Sequence, residues 1–78
     1  MPRRPRPPST TREIGAYLCG ARLCREYYAQ GYNTRTKWHP SFIDLAKRMS
    51  SEDAEIMASM DEDEWWDHFW AGWGSVAP

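Results

Sequence analysis

The chain has 78 residues, 41% of them hydrophobic and 27% charged, with a formal net charge of −1. That length permits one small domain at most, burying only about 60% of the surface its unfolded chain exposes. No apolar run approaches the ~18 residues of a membrane span, and no apolar stretch near the start reads as a secretory signal, so a soluble, cytoplasmic protein is expected.

The near-neutral total hides a split. All ten Lys and Arg lie within residues 1–48, which carry +7, while residues 49–78 carry eight acids and no Lys or Arg. Such asymmetry points to charged partners without naming them. A core this small needs compensation. The five Trp, four Tyr and two Phe supply it, since each ring can bury roughly 150–250 Å². Cys19 and Cys24 sit five apart on one expected helix, about 140° apart around its axis, and so are read as unbridged, buried thiols of a reducing compartment.

Residues 1–9, Met-Pro-Arg-Arg-Pro-Arg-Pro-Pro-Ser, read as a flexible basic arm, because four prolines remove donors and fix φ. Residues 10–78 read as one helical domain. A first helix is expected from Thr11 to Gln30, opened by a Thr10/Glu13 capping box and stopped by Gly31. Ile14, Tyr17, Leu18, Ala21, Cys24 and Tyr28 form one apolar stripe; Ala16, Leu23 and Tyr27 form its neighbour. Such a helix should be central, with the others packed around it. Gly15 and Gly20 would permit close helix approach. Residues 32–38 have no helical period and read as an extended loop.

His39 precedes Pro40, and Pro40 suits the first turn of a second helix, roughly 40–49, burying Phe42, Ile43, Leu45, Ala46 and Met49. Ser50 with Asp53 starts a third helix, in which Ile56, Met57 and Met60 share a face. Asp61 with Glu64 starts a fourth, running to about Gly72 or Gly74. Acids in each first turn complement the helix dipole. The expected fold is all-α: a long central helix, three short ones and the arm.

The densest local feature is residues 61–73. On a helix, Trp65, Trp66, Phe69, Trp70 and Trp73 fall within an arc of about 140°, with Glu64, Asp67, His68 and Ala71 on the other side. The stripe reads as half of the core. It also has more Trp than packing alone requires, and Trp is enriched at binding hot spots. The carboxylates read as a solvated, dipole-compensating face, or as a surface that docks on a basic cleft and imitates a phosphate backbone. The acidic run lacks the spacing and central Gly of a calcium loop, and neither His has a nucleophile partner, so no metal, cofactor or catalysis is expected. An enclosed pocket of roughly 300 Å³ is also hard to build in so small a domain.

These residues favour a protein-binding inhibitor or adaptor. Asp61, Glu62, Asp63, Glu64 and Asp67 would steer it to a larger protein or ribonucleoprotein complex with a basic surface, and Trp66 and Trp70 would anchor it. In size, compactness and acidic surface the chain looks like the anti-CRISPR proteins as a type, without sharing a motif with one of their families. That resemblance implies a phage or mobile-element protein whose acids occupy a groove meant for DNA or guide RNA. The alternative is a nucleic-acid-binding module using Arg3, Arg4, Arg6, Arg12, Arg35 and Lys37 on phosphates. A third reading is an assembly subunit with the aromatic stripe as its interface.

Overall fold

Thr10 is extended, at φ −93° and ψ 160°. Its hydroxyl accepts the Glu13 N–H at 3.1 Å while the Glu13 carboxylate accepts the Thr10 N–H at 3.1 Å. This reciprocal capping box satisfies two donors that a helix start otherwise leaves open. It begins α1 (Thr11–Ala29), which ends at Gln30; Gly31, at φ 91°, turns the chain out of the helix. The computed structural model describes residues 8–32, 34 and 40–77. Within them follow α2 (Phe42–Arg48), α3 (Ser51–Ser59) and α4 (Glu62–Val76), and no strand. The all-α architecture is the one the sequence implies. Residues 1–7 of the arm, and most of the expected 32–38 loop with His39, lie outside the described residues.

The other helix starts also follow the residues. Ser50 caps α3 in a second reciprocal box with Asp53, and the Asp61 carboxylate accepts the Glu64 N–H at 3.3 Å to open α4. The second helix departs from expectation. Ser41, not Pro40, sets its start, because the Ser41 hydroxyl accepts the Asp44 N–H and leaves Pro40 outside the helix. Seven residues make about two turns, enough to turn one side chain inward. Leu45 is 1% exposed, whereas Phe42 and Ile43, expected in the core, are 54% and 68% exposed. Ala46 is exposed and Met49 half-buried.

The core lies between α1 and α4. Ala16, Cys19, Leu23, Cys24 and Tyr27 of α1 meet Trp65, Phe69 and Trp73 of α4, with Leu45 closing one side. Two glycines set the closeness of this pair. A Cβ at Gly20 would overlap the Phe69 carbonyl oxygen, and one at Gly72 would overlap the Tyr17 carbonyl oxygen. Each helix thus presents bare backbone to the backbone of the other. Gly72 therefore does not end α4, which continues through Gly74 to Val76. Among the described residues, α1 packs against the other helices without being fully covered by them. α3 and α4 cover adjoining faces of it, while Ile14, Leu18 and Tyr28 stay 41%, 57% and 57% exposed.

Candidate functional site

Close packing at Gly72 decides which aromatic rings reach solvent. The buried positions of α4 are Trp65, His68, Phe69, Gly72 and Trp73. That stripe is rotated by about 60° from the centre of the aromatic arc. Trp65 and Phe69 are fully buried and stack at 5.0 Å. Trp66 and Trp70 turn outward, half-buried, and stack on each other at 5.7 Å with 15° between ring planes. Phe42 of α2 meets the Trp66 ring edge to face at 5.9 Å.

The same rotation buries His68, which the helical wheel places on the polar side. It is 5% exposed, and its Nε2 lies 3.1 Å from Glu13 Oε2. Hydrogen bonds from the Thr10 N–H, then from the Ser9 N–H and hydroxyl, and finally from His68 hold the Glu13 carboxyl down from 4.5 to about 2. An ionised carboxylate only accepts, so His68 Nε2 carries the proton between them. Ser9, the last residue of the expected arm, is thereby fixed to α1.

A second link ties the basic and acidic halves. Arg22 of α1 grips the Asp53 carboxylate of α3, which also accepts the Ser50 N–H. Burial pulls Asp53 upward, but the Arg22 hydrogen bond and the Ser50 N–H outweigh it and leave the group below the ordinary Asp range. Burial and the nearby Asp53 charge push the Cys19 thiol up to about 12, which disfavours the thiolate at neutral pH. Both cysteines are free and buried.

The steering acids take different places. Asp61 is spent partly as a cap. Glu62, Asp63 and Asp67 are exposed, and none pairs with a Lys or Arg among the described residues. Glu64 is half-buried. Of the six candidate phosphate contacts, Arg12 is exposed in the first turn of α1; Arg3, Arg4, Arg6, Arg35 and Lys37 lie outside the described residues.

Sequence reasoning missed a groove of about 380 Å³. Phe42, Ala46 and Met49 of α2 and Ala54, Met57 and Ala58 of α3 line it, together with Glu62 of α4. Its volume exceeds what was expected of so small a chain, because it is an open cleft rather than an enclosed pocket. The signal was present: Phe42, Ala46 and Met49 share one helical face, as do Ala54, Met57 and Ala58. From the sequence, the α2 residues go to packing, and in α3 Met57 groups with Ile56 and Met60 rather than with Ala54 and Ala58. Glu62, which lines the groove, and the half-buried Trp66 lie one turn apart on α4. Among the described residues, no three His, Cys, Asp or Glu side chains converge as a metal site, and no helix is long and apolar enough to cross a membrane. No known protein family, curated protein or solved structure matches the chain.

Proposed function

We propose that this chain is a cytoplasmic protein-binding inhibitor. Its acidic, tryptophan-bearing C-terminal half docks on a basic surface of a larger protein or ribonucleoprotein complex and blocks it. One observation carries the reading: Glu62, Asp63 and Asp67, exposed and without a cation among the described residues, flank the outward Trp66–Trp70 stack on one helix. Charge of one sign raises the encounter rate with a basic surface, and a half-buried Trp beside it supplies an anchor. In the anti-CRISPR form of the reading, the blocked surface is a nucleic-acid groove and the carboxylates stand where phosphates would. The free buried thiols fit a reducing compartment.

The test is affinity capture from host extract by the wild-type chain and by a D61N/E62Q/D63N/D67N variant. Asn keeps the α4 cap. The wild type is expected to retain a nucleic-acid-binding complex and release it as salt rises; the neutralised variant is expected to lose it. Equal retention by both proteins sinks the reading. Direct binding of the wild type to nonspecific DNA or RNA, with a steep negative salt slope, would favour the basic residues instead.

An assembly-subunit reading is favoured by a separate observation, the exposed Ile14, Leu18 and Tyr28 on α1. It requires a mass that rises with concentration and returns to monomer in an Ile14→Ser, Leu18→Ser variant.

A further inference from the structure

The groove between α2 and α3 is lined by six apolar residues, two methionines among them, and by one carboxylate, Glu62. Methionine side chains adapt to varied apolar shapes, and an amphipathic segment buries its anchors in grooves of this kind. That acid selects among occupants. Glu62 is exposed and adjoins Asp61 and Asp63, and no Lys or Arg lines the groove. Nucleic acid and anionic lipid surfaces would meet repulsion there, whereas a Lys or Arg beside an apolar anchor would meet attraction.

We propose that this groove receives an apolar side chain, such as Leu or Met, from a partner protein segment that places Lys or Arg next to that anchor, at Glu62. The proposal rests on the acidic half being the docking surface, and it names the chemistry of the segment docked. Trp66, in ring contact with Phe42, forms the shoulder against which the segment lies.

The test uses the full chain with labelled methionine methyl groups and three synthetic peptides: Leu anchors flanked by Lys, Leu anchors flanked by Glu, and Ala in place of Leu with Lys retained. The Leu–Lys peptide is expected to shift the Met49 and Met57 methyls saturably, with smaller shifts at Met60, which does not line the groove. The Leu–Glu and Ala–Lys peptides are expected to bind about tenfold weaker or less well still. Glu62→Gln should weaken the Leu–Lys peptide about threefold to tenfold. Ala54→Phe fills the groove from an exposed helical position and should abolish binding; Ala58→Leu serves the same purpose if that variant fails to fold.

Equal binding of the Glu-flanked peptide, unchanged binding to both groove-filled variants, or the absence of any Met49 and Met57 shift overturns the proposal. So does self-association that produces the same methyl shifts without peptide, because the occupant is then a second copy. The groove-filled variant keeps every carboxylate, which separates the two readings in the capture assay. If it captures the host complex as well as wild type while the neutralised variant does not, the groove is wrong and the acidic docking stands. If the neutralised variant captures as well as wild type, the docking itself falls.

Discussion

The α1–α4 pair and the α2–α3 pair are built from similar residues to opposite ends. The first brings two long helices into backbone contact at Gly20 and Gly72 and hides Trp65, Phe69, Trp73 and Tyr27 between them. The second uses helices of seven and nine residues, buries Leu45 and Asp53, and leaves Phe42 and Ile43 exposed beside a methionine-lined cleft. Helices that short hold no structure alone in water. They persist because α1 supports them: Arg22 holds Asp53, and Arg48 lies 4.1 Å over the Tyr27 ring while reaching Gln30 at 2.7 Å. Buried aromatic surface is therefore concentrated in one region and an open apolar cleft in the other, while the exposed acids and the Trp66–Trp70 pair lie on the outer side of the first. A small domain that buried all its apolar residues equally would have no cleft to offer.

The strongest way to break this contrast is to push the tight pair apart. A methyl at Gly72 meets the Tyr17 carbonyl, and one at Gly20 meets the Phe69 carbonyl, so either alanine must displace backbone rather than a flexible side chain. Each substitution should cost about 3 kcal/mol or more, at the upper end of overpacking. A single core in a chain this small rarely supplies more than about 3–5 kcal/mol, so unfolding at 37 °C is the expected result, checked by chemical denaturation. Gly74 is the control. It lies in the same helix with nothing within 4 Å of its added Cβ, and Gly74→Ala should stabilise by up to about 1 kcal/mol through helix propensity. If Gly72→Ala behaves like Gly74→Ala, the close crossing is wrong.

Removing a ring from the buried stack comes next. Phe69→Ala should cost about 3–5 kcal/mol, while Phe42→Ala, at a 54% exposed position, should cost under about 1 kcal/mol. Thermal melts of the two variants measure the same contrast from within one aromatic network. Comparable losses would mean that α2 belongs to the core after all.

How much of this was legible in the sequence follows the range of each force. Helix starts were legible because their chemistry is local: Thr10/Glu13, Ser50/Asp53 and Asp61/Glu64 satisfy donors three residues away, and all three caps form. The all-α class and the near-complete span of α1 follow from them. The rotation of α4 was not legible. An aromatic arc tells which face is greasy, but the axis of contact was set by Gly72, whose value lies in having no side chain. That choice buried His68 and turned Trp66 and Trp70 outward. Nor was the groove legible, since an apolar helix face looks the same whether a neighbour covers it or not. Phe42 and Ile43 read as core for that reason. The part of the candidate site that was legible is the carboxylate run and the Trp pair. Their nearness to a cleft made by α2 and α3 depends on long-range packing.

Acid should loosen both the α1–α4 pair, through Glu13, and its hold on α3, through Asp53. Glu13 is harder to protonate in the folded chain than in the unfolded one, because its carboxyl is held down from 4.5 to about 2. Its contribution to stability is therefore complete above about pH 4.5 and is lost as pH falls from there toward 2. Asp53 is shifted in the same direction and adds to the loss in the acid range. Stability measured by Trp fluorescence should fall through that window, and Glu13→Gln should flatten the fall. An unchanged acid profile in that variant would mean that the Glu13 charge adds nothing, leaving the α1 start to the Thr10 hydroxyl cap and packing.

The smallest expected effect on stability bears most directly on function. Ile43 is 68% exposed on a helix whose inward side chain is Leu45. Ile43→Ser therefore removes apolar surface that folding does not use, and should change stability by no more than about 0.5 kcal/mol. Phe42→Ser combined with it also takes away one aromatic side chain from the groove's lining and the ring against Trp66. Denaturation and peptide binding measured on the same double variant then give two separate numbers. A nearly unchanged midpoint with lost binding is expected, because exposed apolar groups gain their energy only when a partner covers them. A large loss of stability would show that α2 is held by Phe42 and Ile43 rather than by Leu45 and Arg48, and the division between a packed region and an offered one would dissolve.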